Sequence, residues 1–134
     1  MLREIQGPAG RLEALLEMPA NRGITAEGLV ATGAPEGIRA AVVLGHPHPQ
    51  FGGTMHTKGI YHTAKGLTRI GCAVLRFNFR GVGKSEGAWD EGQGERDDFK
   101  AALDVMAAKF PNVPLWAGGM SFGPTMVNDV IHTP

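Results

Sequence analysis

The sequence predicts an α/β fold: a three-layer sandwich with a mainly parallel sheet that is entered through an N-terminal antiparallel hairpin. Three observations carry this. Arg11 to Met18 alternates, with Leu12, Ala14, Leu16 and Met18 on one face and Arg11, Glu13 and Glu17 on the other, as a half-buried strand does. Ala40–Gly45, Ala73–Phe79 and Leu115–Ala117 are apolar or β-rich runs of the kind found in strands covered on both faces. Between them lie two stretches with helical spacing, and strands alternating with helices build a parallel sheet covered on both sides.

Taken in order, Leu2 to Gln6 reads as a short strand and Gly7-Pro8-Ala9-Gly10 as the turn that pairs it with Arg11–Met18. Pro19 closes the hairpin. Gly28 to Thr32 has weak strand character, and Gly33, Pro35 and Gly37 mark loop. After the strand Ala40–Gly45, Met55 to Ile70 is helical through Ile60, Ala64, Leu67 and Ile70, with Gly71 as its stop. Ala73–Phe79 is followed by a glycine-rich loop from Gly81 to Gly94. Glu95 to Phe110 then carries the strongest helical stripe, Phe99, Ala102, Leu103 and Met106, with acids at its start. Leu115–Ala117 is the last strand, and Pro124 to Ile131 reads as a closing helix with proline in its first turn. The 134 residues are expected to form a single domain, 1–134.

Composition narrows the function classes. Thirteen basic and thirteen acidic residues cancel, so no electrostatic case exists for nucleic acid or acidic membranes. A single cysteine, Cys72, excludes an internal disulfide framework and fits a reducing compartment. Its place in an apolar run predicts a core thiol. No apolar stretch reaches spanning length and the first residues lack a signal-peptide core, so a cytoplasmic protein is the expectation.

The chemistry concentrates at Gly119-Met120-Ser121-Phe122-Gly123. Directly after a buried strand, Gly-x-Ser-x-Gly is the spacing of a nucleophile elbow, in which a sharp strand-to-helix turn pushes the serine hydroxyl into the open. The Phe122 N–H then faces whatever is bound there. The plainer reading is a helix corner with a serine cap.

An oxyanion needs two converging N–H donors, one after the nucleophile and one from a neighbouring loop. In the loop after Gly45, Pro47 and Pro49 have no N–H, which singles out His48 as partner to Phe122, with Gln50 and Phe51 as alternatives. His46-x-His48 offers two imidazoles but no third ligand nearby, so no metal is expected, and no other cofactor. Read structurally, His46 makes a hydrogen bond that fixes the loop. Gly83-Lys84-Ser85 is not a phosphate loop, because Asn78 stands where that pattern needs glycine. Arg80 and its glycines read as a turn capped by Ser85. Asp90, Glu91 and Glu95 could border the cleft, but acids before a helix are usually solvated, which is the expectation here. His56 and His62 are expected at partly exposed surface, Trp89 beside the pocket, and Trp116 in the core.

Together these motifs resemble the α/β-hydrolase superfamily, in particular a small bacterial branch related to dienelactone hydrolases. The matching residues are His46-Pro47-His48-Pro49 with Gly52-Gly53-Thr54-Met55, the stretch Arg76-Phe77-Asn78-Phe79-Arg80-Gly81-Val82-Gly83-Lys84-Ser85-Glu86-Gly87, and Gly119-Met120-Ser121-Phe122-Gly123. The resemblance implies the N-terminal part of that fold, a Ser121 nucleophile, and small ester, thioester or lactone substrates. It also implies an acid and a histidine after the nucleophile, where only eleven residues follow Gly123.

Asp129 and His132 have the right chemistry, but along a helix they lie about 12 and 16 Å of rise past Ser121, which rejects them as partners. Roughly three strand–helix units, about 90 residues at some 30 each, are expected to be missing. A weak serine hydrolase is therefore expected, with His46, or failing it His48, as substitute base. The alternative is a non-catalytic remnant that serves as a binding module. Leu115–Ala117 would be an open sheet edge with no charged guard, which predicts a homodimer or larger homo-oligomer.

Overall fold

A computed structural model of the chain describes residues 2–19, 24–25, 28–29 and 37–119. Strands β1 (Glu4–Gly7) and β2 (Gly10–Glu17) form the expected hairpin, with Ile5 opposite Leu12. Two short strands, β3 (Ile24–Thr25) and β4 (Gly28–Leu29), pair with each other apart from the main sheet. The remaining elements are β5 (Ala41–Gly45), helix α1 (Lys58–Arg69), β6 (Ala73–Phe77), helix α2 (Gln93–Lys109) and β7 (Leu115–Gly119). The expected helix over Pro124–Ile131 lies outside the described residues.

The main sheet has five strands in the order β1-β2-β6-β5-β7. β2 runs antiparallel to β6, whereas β6, β5 and β7 are mutually parallel, so the sheet is mixed. Alternation along the strands sorts two cores. Ala41, Val43, Leu75 and Phe77 face α2 and pack with Phe99, Ala102 and Met106. Val42, Leu44 and Val74 face the other way and pack with Ile60 and Ala64 of α1. Cys72 is buried in this second layer, and burial pushes its thiol pKa up, as fits an inert core residue. The three layers are thus α1, sheet and α2.

Three expectations need correction and a fourth is extended. The helix predicted from Met55 starts only at Lys58, because Thr54 to Thr57 form a turn held from β6: Met55 N donates to Asn78 Oδ1 at 2.8 Å and Arg76 Nη1 donates to Met55 O at 2.8 Å. Trp116 is not core. It is 40% exposed, because β7 has a strand neighbour on only one side among the described residues. Glu95 is buried, not solvated; its carboxylate accepts from the N–H groups of Asp90 and Gly92 and closes the first turn of α2. Ser85 does more than cap a turn. It is buried, donates to Asn78 O and accepts from Glu13 N, and so bonds the glycine-rich loop to the hairpin.

Candidate active site

The parallel register sets the ends of β5 and β7 side by side. Gly45, the last residue of β5, is the register partner of Gly119, the last residue of β7. Adjacent strands lie about 4.8 Å apart, so the loop that starts at His46 leaves the sheet beside the end of β7. It does so at the carboxyl ends of the strands, where open α/β sheets bind ligands. Ser121 and Phe122 themselves lie outside the described residues.

The loop is fixed to β6 at both ends. At its far end Asn78 and Arg76 hold Met55. Arg76 is a buried cation on a strand, compensated by Glu17 Oε1 at 2.8 Å. Asn78 in turn donates to Glu13 Oε1 at 2.8 Å, which also accepts the Lys84 N–H at 2.9 Å. This contact with the Lys84 backbone is the main cause that holds the Glu13 carboxyl below its ordinary pKa.

At the near end stands His46, fully buried, its ring edge-on to Phe79 with centroids 4.7 Å apart. Its Nδ1 lies 2.7 Å from the Pro47 carbonyl oxygen and its Nε2 accepts the Phe79 N–H at 3.1 Å. One neutral tautomer, with the proton on Nδ1, satisfies both bonds. Burial pushes the His46 pKa down to about 4, against the upward pull of the Pro47 carbonyl. A general base needs a lone pair within reach of the proton that it takes. In His46 that lone pair is spent on Phe79 and sealed from solvent, so His46 is corrected from substitute base to loop anchor.

His48 opens a short 3-10 turn, Pro49–Phe51, and its ring packs against Phe51 and Trp89 at centroid distances of 4.7 and 4.8 Å. Trp89 thus lies beside this loop. The Gln50 N–H donates to His48 Nδ1, and the Phe51 and Gly53 N–H groups donate to His48 O. Both alternatives to His48 as loop donor are therefore engaged inside the loop. Gly53 has to be glycine for space: a Cβ there would collide with the Pro47 carbonyl. His56 and His62 are exposed, as the sequence suggested. A cavity of about 570 Å³ lies over the hairpin between Arg3, Glu13, His56 and Lys84; no residue from 46 to 53 lines it. Among the described residues no group of three or more His, Cys, Asp or Glu is placed to hold a metal ion, and no helix is long and apolar enough to cross a membrane.

The signals that the sequence reading missed are the two buried polar residues of β6 and its exit, Arg76 and Asn78. A cation and an amide within an otherwise apolar run, Ala73 to Phe79, are what would have pointed to them.

Comparison with known proteins agrees with this architecture. An α/β serine hydrolase without a lid from Xanthomonas campestris superposes with a TM-score of 0.81 at 31% identity, covering 95% of this chain and 53% of that one. An α/β serine hydrolase homologue from Coxiella burnetii gives 0.79 at 37% identity, covering 96% and 55%. An uncharacterised protein of Rickettsia prowazekii is 41% identical over 106 residues, which are 79% of this chain and 38% of that protein. The chain thus spans about half the length of the two solved structures and less of the third protein. The family model described as serine aminopeptidase, S33, matches residues 36–134, and the chain belongs to this family of α/β hydrolases.

Proposed function

We propose that the chain acts as a serine hydrolase on small carboxylic esters, thioesters or lactones, with Ser121 as nucleophile. The observation that carries this reading is the register of Gly45 with Gly119, which sets the His46–Gly53 loop beside the strand that leads into Gly119-x-Ser121-x-Gly123. In the reaction the Ser121 Oγ forms a bond to the acyl carbon while its proton passes to a base. The carbonyl oxygen gathers negative charge between the N–H groups of Phe122 and His48. The alcohol or thiol then leaves with a proton, and water releases the acid from the acyl-enzyme. The base is a group other than His46.

Substitution of Ser121 by alanine is the test. Wild-type protein is expected to hydrolyse p-nitrophenyl butyrate and to take up a fluorophosphonate at Ser121, and Ser121→Ala to do neither. Equal behaviour of the two proteins would leave the elbow as architecture and favour a binding module.

A further inference from the structure

We propose that the N-terminal hairpin carries a binding site for a small amphiphilic anion, an acyl chain that ends in a carboxylate. The site lies apart from the candidate active site, and the proposal stands whether or not the chain hydrolyses esters.

Two cavities of about 570 and 540 Å³ meet on the hairpin, and Arg3 and Leu15 line both. Each has the size of an ordinary small-molecule site. β6 separates β2 from β5 in the sheet, and no residue of the His46–Gly53 loop lines either cavity.

The first cavity supplies positive charge. Arg3 just before β1, His56 in the turn before α1 and Lys84 in the glycine-rich loop all line it. Among the described residues, none hydrogen-bonds or ion-pairs with these three side chains. The remaining cation of the cavity, Arg11, is already engaged, with Nε 3.8 Å from Glu4 and Nη1 3.9 Å from Glu86. Glu4 is thereby matched. Glu13 Oε1 accepts from Asn78 Nδ2 and from the Lys84 main-chain N–H, not from a cationic side chain. Arg3 and Lys84 thus carry charges with no carboxylate at ion-pair distance among the described residues. A ligand carboxylate would supply one, in charge-assisted hydrogen bonds of the stronger kind.

The second cavity is apolar because of where β1 begins. Its register starts with Glu4 opposite Glu13, and Arg3 O still accepts the Ala14 N–H at 2.9 Å. From Leu15 to Glu17, β2 pairs with β6 alone, so its other edge has no strand neighbour among the described residues. Leu2, Leu15, Leu16 and Met18 line the cavity at that edge, and Met18 is 38% exposed. Glu17, the one acid that lines it, is tied to Arg76 and Lys65 at 2.8 Å each. Charge therefore sits at one end and apolar surface at the other, with Arg3 at the junction. An acyl chain laid on these side chains would remove apolar surface from water while its head met Arg3 and Lys84.

The test is calorimetric titration of the full chain with octanoate, below its micelle-forming concentration, with amide shifts mapped by NMR. Acetate is the head without the chain, and octanol the chain without the charge. Octanoate is expected to bind saturably, with shifts at Arg3, Leu15 and Lys84. Acetate and octanol are expected to bind at least about tenfold more weakly. The double variant Arg3→Gln with Lys84→Gln alters two exposed side chains, so it is expected to melt as wild type does. Its affinity for octanoate is expected to fall at least about tenfold. Met18→Ser should weaken octanoate as well, and Ser121→Ala should bind it as wild type does.

No saturable binding of octanoate would overturn the proposal, as would shifts confined to the ends of β5 and β7. So would acetate or octanol binding as tightly as octanoate, or a folded double variant with unchanged affinity. Loss of binding in Ser121→Ala would place the ligand at the elbow and equally overturn it. Ester turnover enters none of these readouts, so the proposal and the hydrolase reading fail separately.

Discussion

Arg80 and Asp98 form a two-pronged ion pair, with Nη2 donating to Oδ1 at 2.8 Å and Nε to Oδ2 at 3.0 Å. Asp98 is completely buried on α2, and its Oδ2 also accepts the Arg80 N–H at 3.0 Å. The pair fastens the loop after β6 to α2. Removing one partner of a buried pair leaves the other charge uncompensated and costs about 3–5 kcal/mol. Asp98→Ala should lower stability by that order in a urea titration.

Gly94→Ala should also destabilise. Alanine in a helix interior is ordinarily better than glycine by about 1 kcal/mol. Here a Cβ would collide with the Arg80 guanidinium and approach Asp90 Oδ2 to 2.7 Å. Thermal melting should show a lower Tm than wild type; an increase would mean that the guanidinium yields at little cost.

The hairpin, the three parallel strands and both described helices were legible in the sequence, because each leaves a periodic or continuous apolar pattern. What failed was mostly non-local. Glu95 was misjudged although its bonds are local, to the N–H groups of Asp90 and Gly92. The burial of Asp98 depends on Arg80, eighteen residues away, and nothing in an acidic helix start reveals a guanidinium folded over it. The late start of α1 depends on Asn78 and Arg76, more than twenty residues away. Trp116 was misjudged because its apolar type was weighed above the position of its strand, which the sequence already marked as an open edge. At the site, the two histidines after β5 were legible as a pair of interest. Burial and the Phe79 N–H, which no local pattern encodes, decided the role of His46.

The buried His46 makes stability depend on pH. Its folded pKa, about 4, lies below the ordinary 6.5, so between these values the unfolded chain binds a proton that the folded chain does not. Stability should therefore fall as pH drops from 6.5 towards 4, by up to roughly 3 kcal/mol at about 1.4 per pKa unit. Glu13, whose pKa is lowered, acts in the same sense below its ordinary 4.5. Urea titrations at a series of pH values check this, and His46→Gln should flatten the slope between pH 6.5 and 4.5.

β7 should mediate self-association. It is an edge of the described sheet, with Leu115 and Trp116 each 40% exposed, and such an edge can pair with a second copy about a two-fold axis. Light scattering over a dilution series should give at least the dimer mass, and Trp116→Asp should shift it towards the monomer. A monomeric wild-type protein at high concentration would contradict this.

The most direct test of the account is site-mapped labelling with a fluorophosphonate. Ser85 and Ser121 are the two serines of the chain, and Ser85 is buried with its hydroxyl engaged by Asn78 and Glu13. Intact-mass and peptide mapping should find one adduct, on Ser121, in wild type and in Ser85→Ala, and none in Ser121→Ala, with ester turnover following the same order. Absence of an adduct from folded wild-type protein, together with ester turnover equal to that of Ser121→Ala, would contradict it.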